Sequence, residues 1–416
     1  MHDDREYLTI DDVDVEGKRV LVRVDINSPV DPQTGRVTSD TRIRVHARTL
    51  EELAARGAKV VVLAHQGRKG DPDFVSLRDH GRLLGELLGR PVKFVNDIVG
   101  EKAIKAIEEL NYGEILLLEN VRFHPDETKK LPAEEHAKSE LVSRLAPHFD
   151  LFVLDGFSVA HRPHASVIGF TAVLPSVAGR VMEAELSALN RITKKIQKPF
   201  VCILGGAKVE KGSEFVEFLL SKGVDLVLTG GLAGNLLLHA SGVNLGEATL
   251  SILEKKGLLD FAEQMGKVVR ENPDRVMLPL DVAVRGKNGE RVELEVSQLP
   301  SEYPICDIGS KTISRYVEEV RKAKTVFVSG PLGVYEDENF ALGTREVFKA
   351  IAESNAYSVA SGGHTVSALK AFKLVEGFNH VSIAGGAFLE YLMGKKLAGV
   401  EALKEAAKRM KASGGG

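Results

Sequence analysis

The chain has 416 residues, 44% of them hydrophobic and 27% charged, which is too long for one ordinary core and fits two domains of a soluble globular protein. A net charge of −3 supplies no global field to draw nucleic acid or an anionic membrane, so any anion site has to come from local clustering of Arg, Lys and His. The cysteines Cys202 and Cys306 lie far apart in apolar context, the N-terminus MHDDREYLTI has no apolar signal region, and no run approaches membrane-spanning length, which together point to a cytoplasmic protein without metal-thiolate or disulfide chemistry.

Short apolar runs at residues 19–24, 60–64, 92–95, 115–118 and 151–154 read as strands buried on both faces. Helical stretches lie between them at 42–56, 77–88 and 133–145, the last opening after Pro132 with paired glutamates in its first turn. This alternation predicts a parallel sheet with right-handed crossovers. Residues 181–196 carry apolar positions at helical spacing between Gly179 and Lys198-Pro199, and read as one helix joining two lobes. The second half resumes the alternation, with strands at 200–204, 226–229, 276–280, 325–328, 357–360 and 381–383. Residues 284–299 read as a hairpin excursion, and 399–411 as a charged amphipathic helix ahead of a Ser-Gly-Gly-Gly tail. The expected fold is α/β: two doubly wound, Rossmann-like parallel-sheet lobes joined by a helix, with an interlobe cleft.

Ligands of such sheets bind at the carboxyl ends of the strands. In the first half the runs end near charged or polar residues: Asp25, His65, Arg122 and Asp155. In the second half they end in glycine pairs, as in FVCILGG, DLVLTGG, YSVASGG and VSIAGG. The first edge suits a small anion and the second a nucleotide. Neither G-x-x-x-x-G-K-[ST] nor G-x-G-x-x-G occurs, and Gly309-Ser310-Lys311-Thr312 lacks the glycines of the former. A dinucleotide-dependent dehydrogenase is thereby disfavoured. GGAKVEKG at 205–212 follows a strand and precedes a helix; paired glycines let backbone N–H groups approach an anion, with Lys208 ready for a terminal phosphate. One such turn is commonly a bare connection, but four at one sheet edge weigh against that reading.

Basic residues of the first half sit in RVDINSP, SDTRIR, AHQGR, ENVRFH and DGFSVAHRPHAS. A lone strand-end Arg or His is usually a surface ion-pair partner, and the H-x-x-H pair His161/His164 lacks a third zinc ligand at useful spacing. Five basic elements at one edge, however, repel one another unless an anion lies among them, and bidentate Arg suits phosphate and carboxylate. No Ser-His-Asp arrangement, catalytic cysteine context or carboxylate dyad is evident. An acceptor carboxylate needs none, because it is already ionised at neutral pH.

Taken together, RVDINSP, SDTRIR, AHQGR, LLLENVRFH, DGFSVAHRPH, LGGAKV, SGPLGVYE, SGGHT and VSIAGGA resemble the phosphoglycerate kinase family in order and over essentially the whole chain; AHQGR, FSVAHRPHAS and SGGHT resemble its archaeal branch. The resemblance implies reversible phosphoryl transfer between ATP and the carboxylate of 3-phosphoglycerate, giving 1,3-bisphosphoglycerate and ADP, in line and on lobe closure. It implies an N-terminal lobe over 1–178, with 402–416 packing back on it, a hinge helix over 179–197, and a nucleotide lobe over 198–401. The glycerate positions would be Asp25, Ile26, Asn27, Arg42, His65, Gln66, Gly67, Arg68, Arg122 and Arg162. The nucleotide positions would be Gly205, Gly206, Ala207, Lys208, Gly230, Gly231, Glu336, Gly362, Gly363, His364 and Thr365. Arg42 and Lys208 would flank the transferring group.

Departures from the family pattern are His364 where relatives outside the archaeal branch carry an acidic residue, Gly212 where a second lysine is frequent (Lys211 stands one earlier), Ser329 for asparagine, and Gly156 for alanine. Neutral imidazole is a poor ligand for Mg2+, so the cation is expected to travel with ATP or ADP and no protein ligand is assigned. The partners expected are small molecules only, with no nucleic acid or membrane, and the protein a monomer or homodimer. The competing reading is a non-catalytic two-lobe protein that binds a phosphometabolite and regulates; a coupled activity assay separates the two.

Overall fold

A computed structural model describes residues 5–206 and 212–413. The chain forms two compact units: Met1–Ser187 with Gly394–Gly416, and Ala188–Met393. In the first, strands β1 (Arg19–Arg23), β2 (Lys59–Leu63), β3 (Lys93–Phe94), β4 (Ile115–Leu117), β5 (Leu151–Leu154) and β6 (Ser176–Ala178) make one sheet in the order β3-β4-β2-β1-β5-β6, every pair parallel. The strands bury Val20, Leu21, Val22, Val60, Val61, Val62 and Leu63 completely, as the unbroken apolar runs require when helices cover both faces. The chain reverses its direction of travel across the sheet at β1, whose neighbours are β2 and β5, and such a switch point leaves a crevice at the carboxyl ends of the strands.

The second unit repeats the plan. Strands β7 (Phe200–Leu204), β8 (Leu226–Thr229) and β9 (Val276–Met277), then β13 (Thr325–Ser329), β14 (Tyr357–Ser361) and β15 (His380–Val381), form the parallel order β15-β14-β13-β7-β8-β9, with the switch at β7. Between them β10 (Asp281–Arg285), β11 (Arg291–Glu295) and β12 (Ile305–Ile308) make a separate antiparallel sheet.

Several expected elements differ. The excursion at 284–299 is a hairpin, but it starts at Asp281 and gains a third strand, β12, so the 276–280 run keeps only Val276 and Met277 as strand. The expected 133–145 helix is two, Ala133–His136 and Glu140–Leu145. Ser139 accepts from Val142 N and starts a new helix, and Asp126 takes the free amide of Glu140 at 3.1 Å. The joining helix runs Arg180–Thr193, and the division between units falls within it. The last helix, Ala398–Ser413, belongs to the first unit: Gly399 N donates to Ala160 O at 2.7 Å, Arg409 donates to Thr171 O, and Lys404 pairs with Glu6 at 3.0 Å.

Tyr316, on the helix Ser310–Lys322, is buried with its hydroxyl against β8 and β9. The hydroxyl accepts from Thr229 N (3.2 Å) and donates to Thr229 O (2.7 Å), with Met277 O at 3.1 Å. Tyr316→Phe leaves buried backbone groups at Thr229 short of a partner, and should lower stability by about 1–3 kcal/mol in denaturant unfolding. An unchanged midpoint would show that the hydroxyl contributes nothing.

Candidate active site

The parallel register delivers the polar residues after β1, β2, β4 and β5 to one edge. Val24 N bonds Leu63 O (3.1 Å), Asp155 N bonds Arg23 O (2.9 Å), and Val121 N bonds Ala64 O (3.0 Å), so the four turns lie side by side. Asp25 is 2% exposed; its Oδ2 accepts from Arg42 and from the Ser158 hydroxyl, and its Oδ1 from Asn27 N at 3.1 Å. Asn27 Oδ1 in turn accepts from Gly67 N at 2.9 Å, locking the 25–28 turn to the 65–68 turn. Gly67 has φ +68°, and a Cβ there would meet the Asp73 and Phe74 backbone, so only glycine fits.

Beneath this surface lies Arg23, 1% exposed. Its Nε donates to Ser166 Oγ (2.7 Å), its Nη1 to Val24 O, and its Nη2 reaches His65 Nδ1 at 3.1 Å and Glu127 at 3.8 Å. A guanidinium can only donate, so His65 Nδ1 accepts and the ring is neutral with its proton on Nε2. Burial and the adjacent Arg23 push the His65 imidazole well below its ordinary value, in agreement with that tautomer. Burial alone would raise the Asp25 carboxyl, but the Arg42 guanidinium and the Ser158 hydroxyl outweigh it and hold the group well below the usual carboxylate range.

Around this base stand Arg42, Arg68, Arg122 and Arg162. Arg122, half-buried, donates to Gly67 O while its Nε lacks a partner. Burial, then the nearby Arg162 and Arg23, bring it down to about 10. Arg162 is lowered by burial, then by Arg68. Guanidiniums that disfavour one another's charge are close together, and an anion relieves that repulsion. Ile26 and Gln66 differ from expectation. Both are fully buried, and the Gln66 amide is spent on Ser28 (2.9 and 3.0 Å), His80 (2.9 Å) and Asp73 (3.2 Å); they shape the turn and offer no side-chain surface to a ligand. His161 is exposed whereas His164 is buried beside Glu127 (3.9 Å), and no metal-ligating group of three is present among the described residues.

In the second unit a cavity of about 260 Å3 lies at the ends of β7, β8 and β13. Ile252, Pro279, Val282, Ile305 and Leu332 give it apolar walls; Gly206, Gly231 and His364 line it too, as does the exposed Glu336. The pairs at 205–206 and 230–231 do not present the bare amides that the sequence suggested. Gly205 N donates to Ser329 O (2.9 Å), Gly206 N to Pro331 O (2.9 Å), Gly230 N to Leu204 O (3.1 Å) and Gly231 N to Leu332 O (2.8 Å). Glycine is needed for packing: a Cβ on Gly205 would collide with Pro331 O, and one on Gly230 would sit 2.6 Å from Leu332 Cδ2. Two helices, Gly231–Ala240 and Gly363–Ala371, start at this edge without a side-chain cap. Thr365 instead turns its hydroxyl to accept from Gly330 N at 2.8 Å. Ala207 and Lys208 lie outside the described residues. Asp307, a buried residue of the cavity lining, was not anticipated. Burial raises its carboxyl to about 6 against the pull of Gly343 N and Arg291, both at 2.8 Å. Its only sequence signal is a carboxylate inside an apolar strand.

A sequence model of the family described as phosphoglycerate kinase matches residues 10–395. The chain is 42% identical to the phosphoglycerate kinase of Methanothermus fervidus over 97% of its own length and 98% of that protein's. It is 46% identical to that of Methanosarcina mazei over 97% and 96%. The crystal structure of phosphoglycerate kinase from Pyrococcus horikoshii OT3 superimposes with a TM-score of 0.87 at 38% identity, over 97% of this chain and all of that one. No helix among the described residues is long and apolar enough to cross a membrane.

The neutral histidines make the fold acid-sensitive. Burial lowers His80 to about 4, and burial with nearby arginines lowers His164 to about 3, against 6.5 for a free imidazole. Below pH 6.5 the unfolded chain takes up protons that the folded one refuses, so stability falls as pH falls, by up to about 1.4 kcal/mol per pH unit per ring. Between pH 7 and 5, His80→Gln should lose less stability than the unaltered protein in denaturant titrations. Equal losses would mean that His80 is charged in the fold.

Proposed function

The chain belongs to the phosphoglycerate kinase family and is a kinase that moves a phosphoryl group between ATP and 3-phosphoglycerate; from that premise we propose which of its residues hold each reactant. The first unit, on this reading, takes 3-phosphoglycerate, with Arg68, Arg122 and Arg162 on its phosphate and carboxylate, and with Asp25, Asn27 and His65 lining the same edge. The observation that carries the reading is that these arginines crowd one edge above the buried Arg23, where burial and then Arg162 lower Arg122, and burial and then Arg68 lower Arg162. His65 keeps its Nε2–H as a neutral donor, because Arg23 occupies the other nitrogen. The cavity of the second unit takes ATP, its apolar walls around the base, Glu336 on the ribose hydroxyls, and the turns at 205–206, 230–231 and 362–365 toward the phosphates.

The acceptor carboxylate is ionised at neutral pH and attacks without a base. An oxygen–phosphorus bond forms to the carboxylate as the bond between the γ-phosphorus and the bridging oxygen breaks. ADP leaves with that electron pair and no proton moves. What the protein supplies is alignment and positive charge, from Arg42 on the acid's side and Lys208 on the nucleotide's. Arg42 is already oriented by Asp25, so it costs little further ordering when the substrate arrives. The described residues near the cavity do not form a cage for magnesium. Asp307 is fully engaged, and Glu336 is the exposed carboxylate of the lining. Mg2+ would therefore arrive on the nucleotide's phosphates and water, and no step is assigned to it. Two buried free thiols, Cys202 and Cys306, favour a reducing cytoplasmic setting.

Arg68→Ala should raise the KM for 3-phosphoglycerate roughly 10- to 100-fold while the KM for ATP stays put, as expected for a lost charged hydrogen bond. Unchanged affinity removes Arg68 from the pocket. Lys208→Ala should lower kcat far more than it weakens ATP binding, since its contact strengthens in the transition state. Parallel losses in the two would contradict that role.

A further inference from the structure

His46 lies on the helix Thr41–Ala55, four residues after Arg42, and is 1% exposed. Nothing in its sequence position marks it for chemistry. Its ring joins two groups that matter. The Asp25 backbone N–H points at its Nε2 at 3.4 Å, and its Nδ1 lies 2.6 Å from Asp155 Oδ2. A backbone amide only donates, so Nε2 accepts and Nδ1 carries the proton toward Asp155. The other oxygen of Asp155 accepts from the Thr49 hydroxyl at 3.0 Å and from Val181 N at 2.9 Å, in the first turn of the helix Arg180–Thr193. Asp155, Thr49 and His46 are all buried, so none of these bonds competes with water.

The surroundings leave the chain of bonds little freedom. A Cβ on Gly179 would collide with the Asp155 carboxylate, and one on Gly156 would sit 3.2 Å from Asp25 N. The glycine at 156 thus leaves the amide that His46 accepts uncrowded. Asp25 in turn holds Arg42 and Ser158 through its Oδ2.

We propose that His46, with Asp155, is a positioning residue for the acid pocket: it fixes the main chain of Asp25, and through it Arg42, to the start of the helix that continues into the second unit. This rests on the reading that Asp25 and Arg42 belong to the 3-phosphoglycerate pocket.

The test uses the full-length protein with His46→Ala, His46→Gln, Thr49→Val and Asp25→Ala, each assayed for both KM values, kcat and Tm. His46→Ala should raise the KM for 3-phosphoglycerate on the order of tenfold and lower kcat, with the KM for ATP within about twofold. His46→Gln, whose amide can accept from Asp25 N and donate to Asp155, should recover most of the loss. If Asp25→Ala raises that KM but His46→Ala does not, the inference fails while the pocket reading stands. If Asp25→Ala itself leaves the KM unchanged, the pocket reading fails and takes the inference with it. Equal falls in Tm for His46→Ala and Thr49→Val, with no selective change in KM, would reduce the contact to packing and overturn the proposal. Should His46→Ala not fold, nitrogen-15 NMR of the unaltered protein decides. A neutral ring protonated on Nδ1 supports the relay, and one protonated on Nε2 refutes it.

Discussion

A single buried cation organises the first unit. Arg23 closes β1 with almost no surface of its own, and its donors reach the next residue's carbonyl, the 65 turn and the one-turn π-helix Ala165–Gly169, with Glu127 at ion-pair distance. Truncating one member of such a pair strands the other charge in the interior, typically at about 3–5 kcal/mol. The arrangement therefore holds the site's floor in one geometry. It also leaves the edge above it electrically biased, because Arg122 and Arg162 both feel Arg23 through a medium that screens poorly. Selectivity for an anion here begins one layer below the residues that would touch it.

The second unit solves its problem without net charge among its described cavity walls beyond Lys256, Asp307 and Glu336. Its strand-end turns are packed backbone on backbone, with the carbonyls of Ser329, Pro331, Leu332 and Leu204 taking the glycine amides. Such a wall is rigid because its bonds are already made. Such packing suits a ligand held by shape more than by hydrogen bonds.

The sheets were legible because their strands are buried on both faces and read as unbroken apolar runs. The charged edge was legible because Asp25 and His65 follow such a run directly and Arg122 stands just beyond one. The break at Ala137–Lys138 was hidden, since Ser139 looks like one more polar residue on a helical face until its hydroxyl is seen to cap. The strand Ile305–Ile308 was hidden by its partner, because pairing with Asp281–Arg285 is a tertiary event with no local period. Gln66 and Ile26 sit inside motifs that carry the charged edge, and only the structure shows the Gln66 amide spent on Ser28, His80 and Asp73 and the Ile26 side chain fully buried. His46 and Asp155 lie far apart in the chain, and hydrogen bonding over that distance leaves no trace in spacing. At 205–206 and 230–231 the glycine pairs were read for the wrong property: the absent Cβ matters for close approach to the 330–332 turn, and their amides are occupied.

The first unit is discontinuous: the helix Ala398–Ser413 completes it after the whole of the second unit has been passed. Until that helix exists, the Ala160 carbonyl has no amide from Gly399, and Leu154 and Ala160 lack the backbone that presses on them. On the ribosome, the earlier-made portion can therefore assemble its sheet yet stays unsealed along one flank through nearly all of synthesis. Completion of the first unit waits on residues made after the whole of the second, and a nascent chain halted after Met393 would carry a finished second unit and a first unit still missing its outer layer.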